Sequence, residues 1–143
     1  MAASVESLVS DWRGYSVRMA GRYQHVLLVE DQANLRKVIA RNLSARGVDV
    51  GEADTAAQAV EAACAHKPDL LLLDINLPDR TGWDVLRELR QRGSEVPTIV
   101  VSAVRVSQSR LDEFHPLAYL PKPFPIEALL RLILETPPVD SDE

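Results

Sequence analysis

Pro68-Asp69-Leu70-Leu71-Leu72-Leu73-Asp74-Ile75-Asn76-Leu77-Pro78-Asp79-Arg80-Thr81-Gly82 is the stretch on which the reading of this chain turns. Five of the six residues from Leu70 to Ile75 are aliphatic, and Pro and Gly close the run. A short continuous apolar run between turn signals reads as a central strand covered on both faces. In open α/β sheets, ligands gather at the carboxyl ends of such strands. Asp74 stands at that end.

Working outward, His25-Val26-Leu27-Leu28-Val29 predicts a second buried strand, followed at once by Glu30-Asp31. Leu35, Val38, Ile39 and Leu43 give the inward face of a helix that Gly47 closes. Residues 48–53 alternate and predict a shorter, more exposed strand. Thr55 and Gln58 have capping-box form and open a helix with a small inward face of Ala59, Val60, Ala63 and Cys64. Val85, Leu86 and Leu89 mark a third helix stopped by Gly93. Residues 97–103 predict a buried strand with Ser102 near its end, and residues 104–117 are weakly patterned. Residues 118–123 predict a last strand that ends at Lys122. Pro125 then opens a helix with Ile126, Leu129, Leu130 and Ile133 inward. Strand and helix thus alternate five times, which predicts an α/β fold: a doubly wound, five-stranded parallel sheet with right-handed crossovers.

The whole sequence, 143 residues with 46% apolar and 26% charged, is of a size for one domain with a real core. Residues 1–24 are expected to form an extension, either a short amphipathic helix on Val5, Leu8, Val9 and Trp12 or a disordered leader. Residues 25–136 are the domain, and residues 137–143 an acidic tail. A net charge of −5 with no basic patch argues against a nucleic-acid surface. No run approaches transmembrane length, no secretory signal is recognisable, and a cytoplasmic location with no membrane contact is expected. The single cysteine, Cys64, excludes an intrachain disulfide and a cysteine-cluster metal site, and a buried place on its helix is expected. His25, His66 and His115 lack metal-ligand spacing, and Arg87, Arg90 and Arg92 read as a solvated helix face. Trp83 is expected to begin the third helix rather than to line a pocket.

Four of the five strands end in a functional group: Glu30-Asp31, Asp74, Ser102 and Lys122. In a parallel sheet those ends share one edge. Two carboxylates a few ångströms apart repel by about 4 kcal/mol at an effective dielectric near 20, so three together would titrate higher or stay apart unless a cation joined them. Oxygen ligands with positions left for water and phosphate suit Mg²⁺. A metal, an ammonium and an ionised carboxylate nucleophile are the parts phosphoryl transfer requires.

The acidic pair after the first strand, Asp74 with Pro78 and Gly82 after the third, Ser102-Ala103 after the fourth and Lys122-Pro123-Phe124 after the fifth together resemble a response-regulator receiver domain over about residues 25–135. The resemblance implies a CheY-like, flavodoxin-like (βα)5 fold with strand order 2-1-3-4-5. Asp74 would accept a phosphoryl group from a sensor histidine kinase or phosphotransfer protein. Glu30, Asp31, Asp74 and the Asn76 backbone carbonyl would hold Mg²⁺, while Ser102 and Lys122 would bind the phosphoryl oxygens. Tyr119 would be the aromatic switch residue with Ser102, and the Lys122–Pro123 bond would be cis. Such a domain is a phosphoacceptor in a two-component phosphorelay rather than an enzyme in its own right.

One region departs from the family pattern. Ser102 and Lys122 are 20 positions apart, about two fewer than usual, and His115-Pro116-Leu117 replaces the usual Gly-Ala turn. Pro116 cannot continue a helix, so the fourth helix is expected to be short, from Ser107 to Phe114. That face commonly dimerises or binds partners in the family, which leaves homodimerisation open. The leading expectation is a stand-alone receiver that switches contacts with a downstream protein. A phosphorylation-independent scaffold is the alternative. A haloacid-dehalogenase-like phosphatase is a third reading, disfavoured because Asn76 stands where a second Asp is needed.

Overall fold

The structure, a computed structural model, describes residues 23–135. The expected N-terminal helix or leader and the acidic tail lie outside the described residues. The elements run β1 (His25–Val29), α1 (Ala33–Ser44), β2 (Asp49–Ala53), α2 (Ala56–Ala65), β3 (Leu70–Asp74), α3 (Gly82–Gln91), β4 (Thr98–Ser102), α4 (Gln108–Phe114), β5 (Ala118–Pro121) and α5 (Ile126–Glu135). The strands form one parallel sheet in the order β2-β1-β3-β4-β5.

Alternate residues of the central strands supply two separate cores. Val26, Leu28, Leu70, Leu72, Ile99 and Val101 face α1 and α5, where Ile39, Leu43, Leu129 and Ile133 meet them. Leu27, Val29, Leu71 and Leu73 face α2 and α3, against Ala59, Val60, Ala63, Val85 and Leu89. Every residue of β3 and β4 is buried, which is why those strands read as unbroken apolar runs rather than alternating ones. Tyr23 is also buried in the α1–α5 core, so packing begins two residues before β1.

Local chemistry sets the helix ends. Thr81 accepts a hydrogen bond from the Asp84 amide while the Asp84 carboxylate accepts from the Thr81 amide, a reciprocal cap that starts α3 beside the Asp74 loop. At α2 only half of the expected capping box forms. Thr55 accepts from the Gln58 amide, but the Gln58 side chain turns to the Asp54 amide. Gly47 and Gly93 take φ of +83° and +70° where α1 and α3 end. His115 closes α4 at φ +49° although it carries a side chain.

Two packing expectations are corrected. Val38 is 42% exposed, and the buried face of α1 is instead Ile39, Ala40 and Leu43. Cys64 is exposed, because the stripe of α2 that meets the sheet ends at Ala63. On α5, Leu129, Leu130 and Ile133 are buried and Ile126, half-buried, packs against the same core, as expected. The fourth helix is short, as its sequence implies, and has no buried residue.

Candidate functional site

The register of the sheet brings four chemical groups to its carboxyl edge. Val29 pairs with Leu73, Asp74 with Val101, and Ser102 with Pro121. The residues that follow β1 and β5, Glu30 and Lys122, therefore flank the end of β3. Backbone bonds fix both flanks: the Glu30 amide donates to the Ala53 carbonyl at 3.0 Å, and the Lys122 amide to the Ser102 carbonyl at 2.8 Å. The Lys122–Pro123 peptide is cis.

Lys122 Nζ lies 2.8 Å from Asp74 Oδ2 and 2.8 Å from Glu30 Oε1. It donates a hydrogen bond to Asp74 and pairs at the same distance with Glu30. Glu30 and Asp74 are almost wholly buried, at 1% and 3% exposure, and Asp31 is open to solvent. One carboxylate oxygen from each of Glu30, Asp31 and Asp74 lies within 4.8 Å of the others. The remaining carboxylate oxygens are aimed by the backbone: the Asn76 amide donates to Asp74 Oδ1 and the Gln32 amide to Glu30 Oε2, both at 3.0 Å.

Burial pushes the Glu30 carboxyl above its ordinary range and the Asp74 charge adds to this, against the opposing pull of Lys122 and the Gln32 amide. Burial alone would lower the Lys122 ammonium. Its hydrogen bonds and ion pairs with Asp74 and Glu30 outweigh that and hold it above the usual lysine value. The site thus keeps one firmly charged cation among three carboxylates. A small divalent cation fits this donor set: one carboxylate oxygen from each of Glu30, Asp31 and Asp74 is gathered in one cluster, and hard oxygen donors of this kind suit such an ion.

Ser102 is at the expected strand end and buried, yet its hydroxyl is turned away from Asp74. It donates to the Val104 carbonyl at 2.8 Å and accepts from the Val104 amide at 3.0 Å. Tyr119 is half-buried and packs on a small cluster of Ile75, Trp83 and Val100. Trp83 does begin α3, and it is also buried, stacked on Phe114 with ring centroids 5.2 Å apart. Arg87 and Arg90 lie over the Phe114 ring and pair with Glu113 and Glu95, so that face of α3 is engaged rather than merely solvated.

Sequence reasoning missed Arg36, which donates to the Glu30 carbonyl and pairs with Glu52, bracing the acidic turn. It also gave no reason for Gly82. A Cβ there would lie 2.8 Å from the Asp74 carbonyl oxygen and 3.0 Å from Ile75 Cα, so only glycine lets α3 start so close to β3.

Known proteins are similar to this chain in sequence and fold. The sequence pattern of the response regulator receiver domain matches residues 26–134. The response regulator MprA of Mycobacterium ulcerans is 34% identical over 123 residues, 82% of this chain and 53% of its own length. The KDP operon transcriptional regulatory protein KdpE of Escherichia coli is 39% identical over 115 residues, 77% of this chain and 51% of its own. The chain thus spans about half the length of these relatives. A CheY-like receiver domain protein from Methanospirillum hungatei superposes with a TM-score of 0.70 at 24% identity, covering 78% of this chain and 90% of that one. Among the described residues no helix is long and apolar enough to cross a membrane. By the reach of that match and the identity to MprA and KdpE, the chain belongs to the response regulator receiver domain family.

Proposed function

We propose that the chain is a phosphoacceptor in two-component signalling, modified on Asp74 by a histidine kinase or phosphotransfer protein in the presence of Mg²⁺. The observation that carries this reading is the placement of Lys122 Nζ 2.8 Å from both Asp74 and Glu30, with Asp31 in the same cluster. Glu30, Asp31, Asp74 and the Asn76 carbonyl would hold the ion, which when bound neutralises charge on the incoming phosphoryl group. An Asp74 carboxylate oxygen attacks phosphorus as the phosphorus–nitrogen bond of the donor breaks, and the leaving imidazole takes a proton. Lys122 exchanges its contact with Asp74 for one with a phosphoryl oxygen, a charge-assisted bond of the same kind.

Phosphorylation adds charge and acceptor oxygens beside Ser102. The Ser102 hydroxyl then leaves the Val104 backbone for the phosphoryl group, and the β4–α4 loop moves with it. Tyr119, packed beside Trp83 and Val100, follows that loop, and the surface around α4 and β5 changes its contacts with a downstream protein. KdpE is named as a transcriptional regulator. With a net charge of −5, these 143 residues would serve such an output through protein contacts rather than by binding DNA themselves.

Incubation with acetyl phosphate and Mg²⁺ tests the proposal. One covalent phosphoryl group per chain is expected, absent in Asp74→Asn and after chelation of the metal. Continuous hydrolysis of unrelated phosphomonoesters would instead make the protein a phosphatase. No adduct, with partner binding indifferent to Asp74→Asn, would make it a scaffold.

A further inference from the structure

Asp79 lies in the exposed turn between β3 and α3, five residues beyond Asp74, yet its carboxylate reaches a different element. Oδ1 accepts from the Ala56 amide at 2.8 Å and Oδ2 from the Ala57 amide at 3.0 Å. These are the first two amides of α2, and Thr55 caps only the third, at Gln58. The Ala59 amide closes the first helical bond on the Thr55 carbonyl. The three first-turn amides of α2 that have no helical partner are therefore satisfied, two of them by a side chain from the loop that carries Asn76. The bonds also hold the Asp79 carboxyl below the ordinary aspartate range.

The loop itself is clamped at its base by bonds within the loop and to β3. Gly82 N donates to the Ile75 carbonyl at 2.7 Å, Asn76 bridges to Thr81, and the Asn76 amide binds Asp74 Oδ1. Beyond that base, the tip is tied to other elements by Asp79 on α2 and by the exposed Arg80–Glu88 pair on α3. From this we infer that Asp79 is a positioning residue: by bolting the loop tip to the start of α2, it sets the Asn76 backbone for the divalent ion. The inference rests on the receiver reading of the site and assigns the loop's metal-binding geometry to a carboxylate that does not touch the metal.

The test is a Mg²⁺ titration of the full chain, without phosphodonor, followed through the amide resonances of Asn76 and Leu77. Asp79→Ala, Asp79→Asn and Thr55→Ala are compared with the unaltered protein. Loss of a supporting group behind a metal ligand weakens binding by about tenfold or more. Asp79→Ala is expected to weaken Mg²⁺ about tenfold, and Asp79→Asn, which keeps one acceptor oxygen, by less. Thr55→Ala frays the same helix end without freeing the loop and is expected to change Mg²⁺ binding less than about twofold while lowering the melting temperature. Unaltered Mg²⁺ binding in Asp79→Ala overturns the inference. Equal weakening in Thr55→Ala also overturns it, since helix fraying alone would then account for the effect. If the unaltered protein shows no saturable response to Mg²⁺, it is the receiver reading beneath the inference that falls.

Discussion

Replacing Lys122 by methionine keeps most of the side chain's bulk and removes the one cation from the acidic cluster. Lys122 is 13% exposed in its side chain, and its partners Glu30 and Asp74 are 1% and 4% exposed. Removing one partner of a buried ion pair costs about 3–5 kcal/mol, because the other charge is left without compensation. Here water reaches the site from the side of Asp31, and Glu30 can take up a proton, so the low end, about 3 kcal/mol, is expected at neutral pH. For a domain of this size that lowers the melting temperature by roughly 10 °C. The loss has a pH signature. Burial already raises the Glu30 carboxyl and Lys122 is a main group pulling it down, so in Lys122→Met it titrates higher still. A carboxyl that holds its proton more tightly when folded adds no instability below its unfolded value. The instability grows as pH rises toward the folded value and is constant above it. The deficit at pH 8 therefore exceeds that at pH 5, and Mg²⁺ restores more stability to the variant than to the unaltered protein. Thermal denaturation at both pH values, with and without Mg²⁺, measures all three effects. A melting temperature within 2–3 °C (about 1 kcal/mol or less) of the unaltered protein at pH 8 would refute the reasoning, as would the same loss at pH 5 and pH 8.

Two further substitutions probe the supports of the site. Gly82→Ala places a methyl group 2.8 Å from the Asp74 carbonyl oxygen, so a loss of about 1–3 kcal/mol is expected in chemical denaturation, together with a slower rate of adduct formation at Asp74; an unaffected midpoint would show that α3 can shift freely. Phe114→Ala removes the stack on Trp83 and the seat of Arg87 and Arg90, and since α4 buries no residue of its own, amide exchange over residues 108–114 is expected to quicken while that of β3 is unchanged. Uniform acceleration across both elements would instead mark Phe114 as part of the global core.

The sheet was legible because its central strands are enclosed on both faces: Leu70 to Leu73 had to be apolar at every position, and no helix pattern competes with that. The helices were less legible in detail. Val38 and Cys64 are apolar residues one step away from the stripes that meet the sheet, Ile39–Ala40–Leu43 and Ala59–Val60–Ala63. Sequence periodicity allows a stripe about 100° wide, and only packing decides which of its margins is covered. Alanine carries the decision in both helices. Ala40 and Ala63 give a weak hydrophobic signal, yet both are buried on the faces that meet the core. Arg36 and Asp79 left no trace for a different reason: their partners are backbone groups of other elements, and a backbone amide or carbonyl looks the same under every residue letter.

The positions of the site residues followed from strand ends, but the direction of a hydroxyl does not follow from its position. Ser102 makes two hydrogen bonds with Val104, and this bears on how the proposed switch can work. Moving the hydroxyl to a phosphoryl oxygen exchanges a neutral bond worth about 1 kcal/mol for a charge-assisted one worth about 2, and forfeits the Val104 amide's acceptor as well. The net gain is near 1 kcal/mol at most, less than a tenfold shift in population. Turning a conformational equilibrium from 1:99 to 99:1 takes about 5.5 kcal/mol. In the proposed switch Ser102 would therefore report the phosphoryl group without driving the change. On that proposal the larger share would come from the charge itself, through Lys122 drawn from Asp74 to the phosphoryl group, and from apolar surface around Tyr119, Trp83 and Phe114 that would repack as the β4–α4 loop moves. A Ser102→Ala variant that still switched, and a Tyr119→Ala variant that did not, is the pattern this division of energies requires.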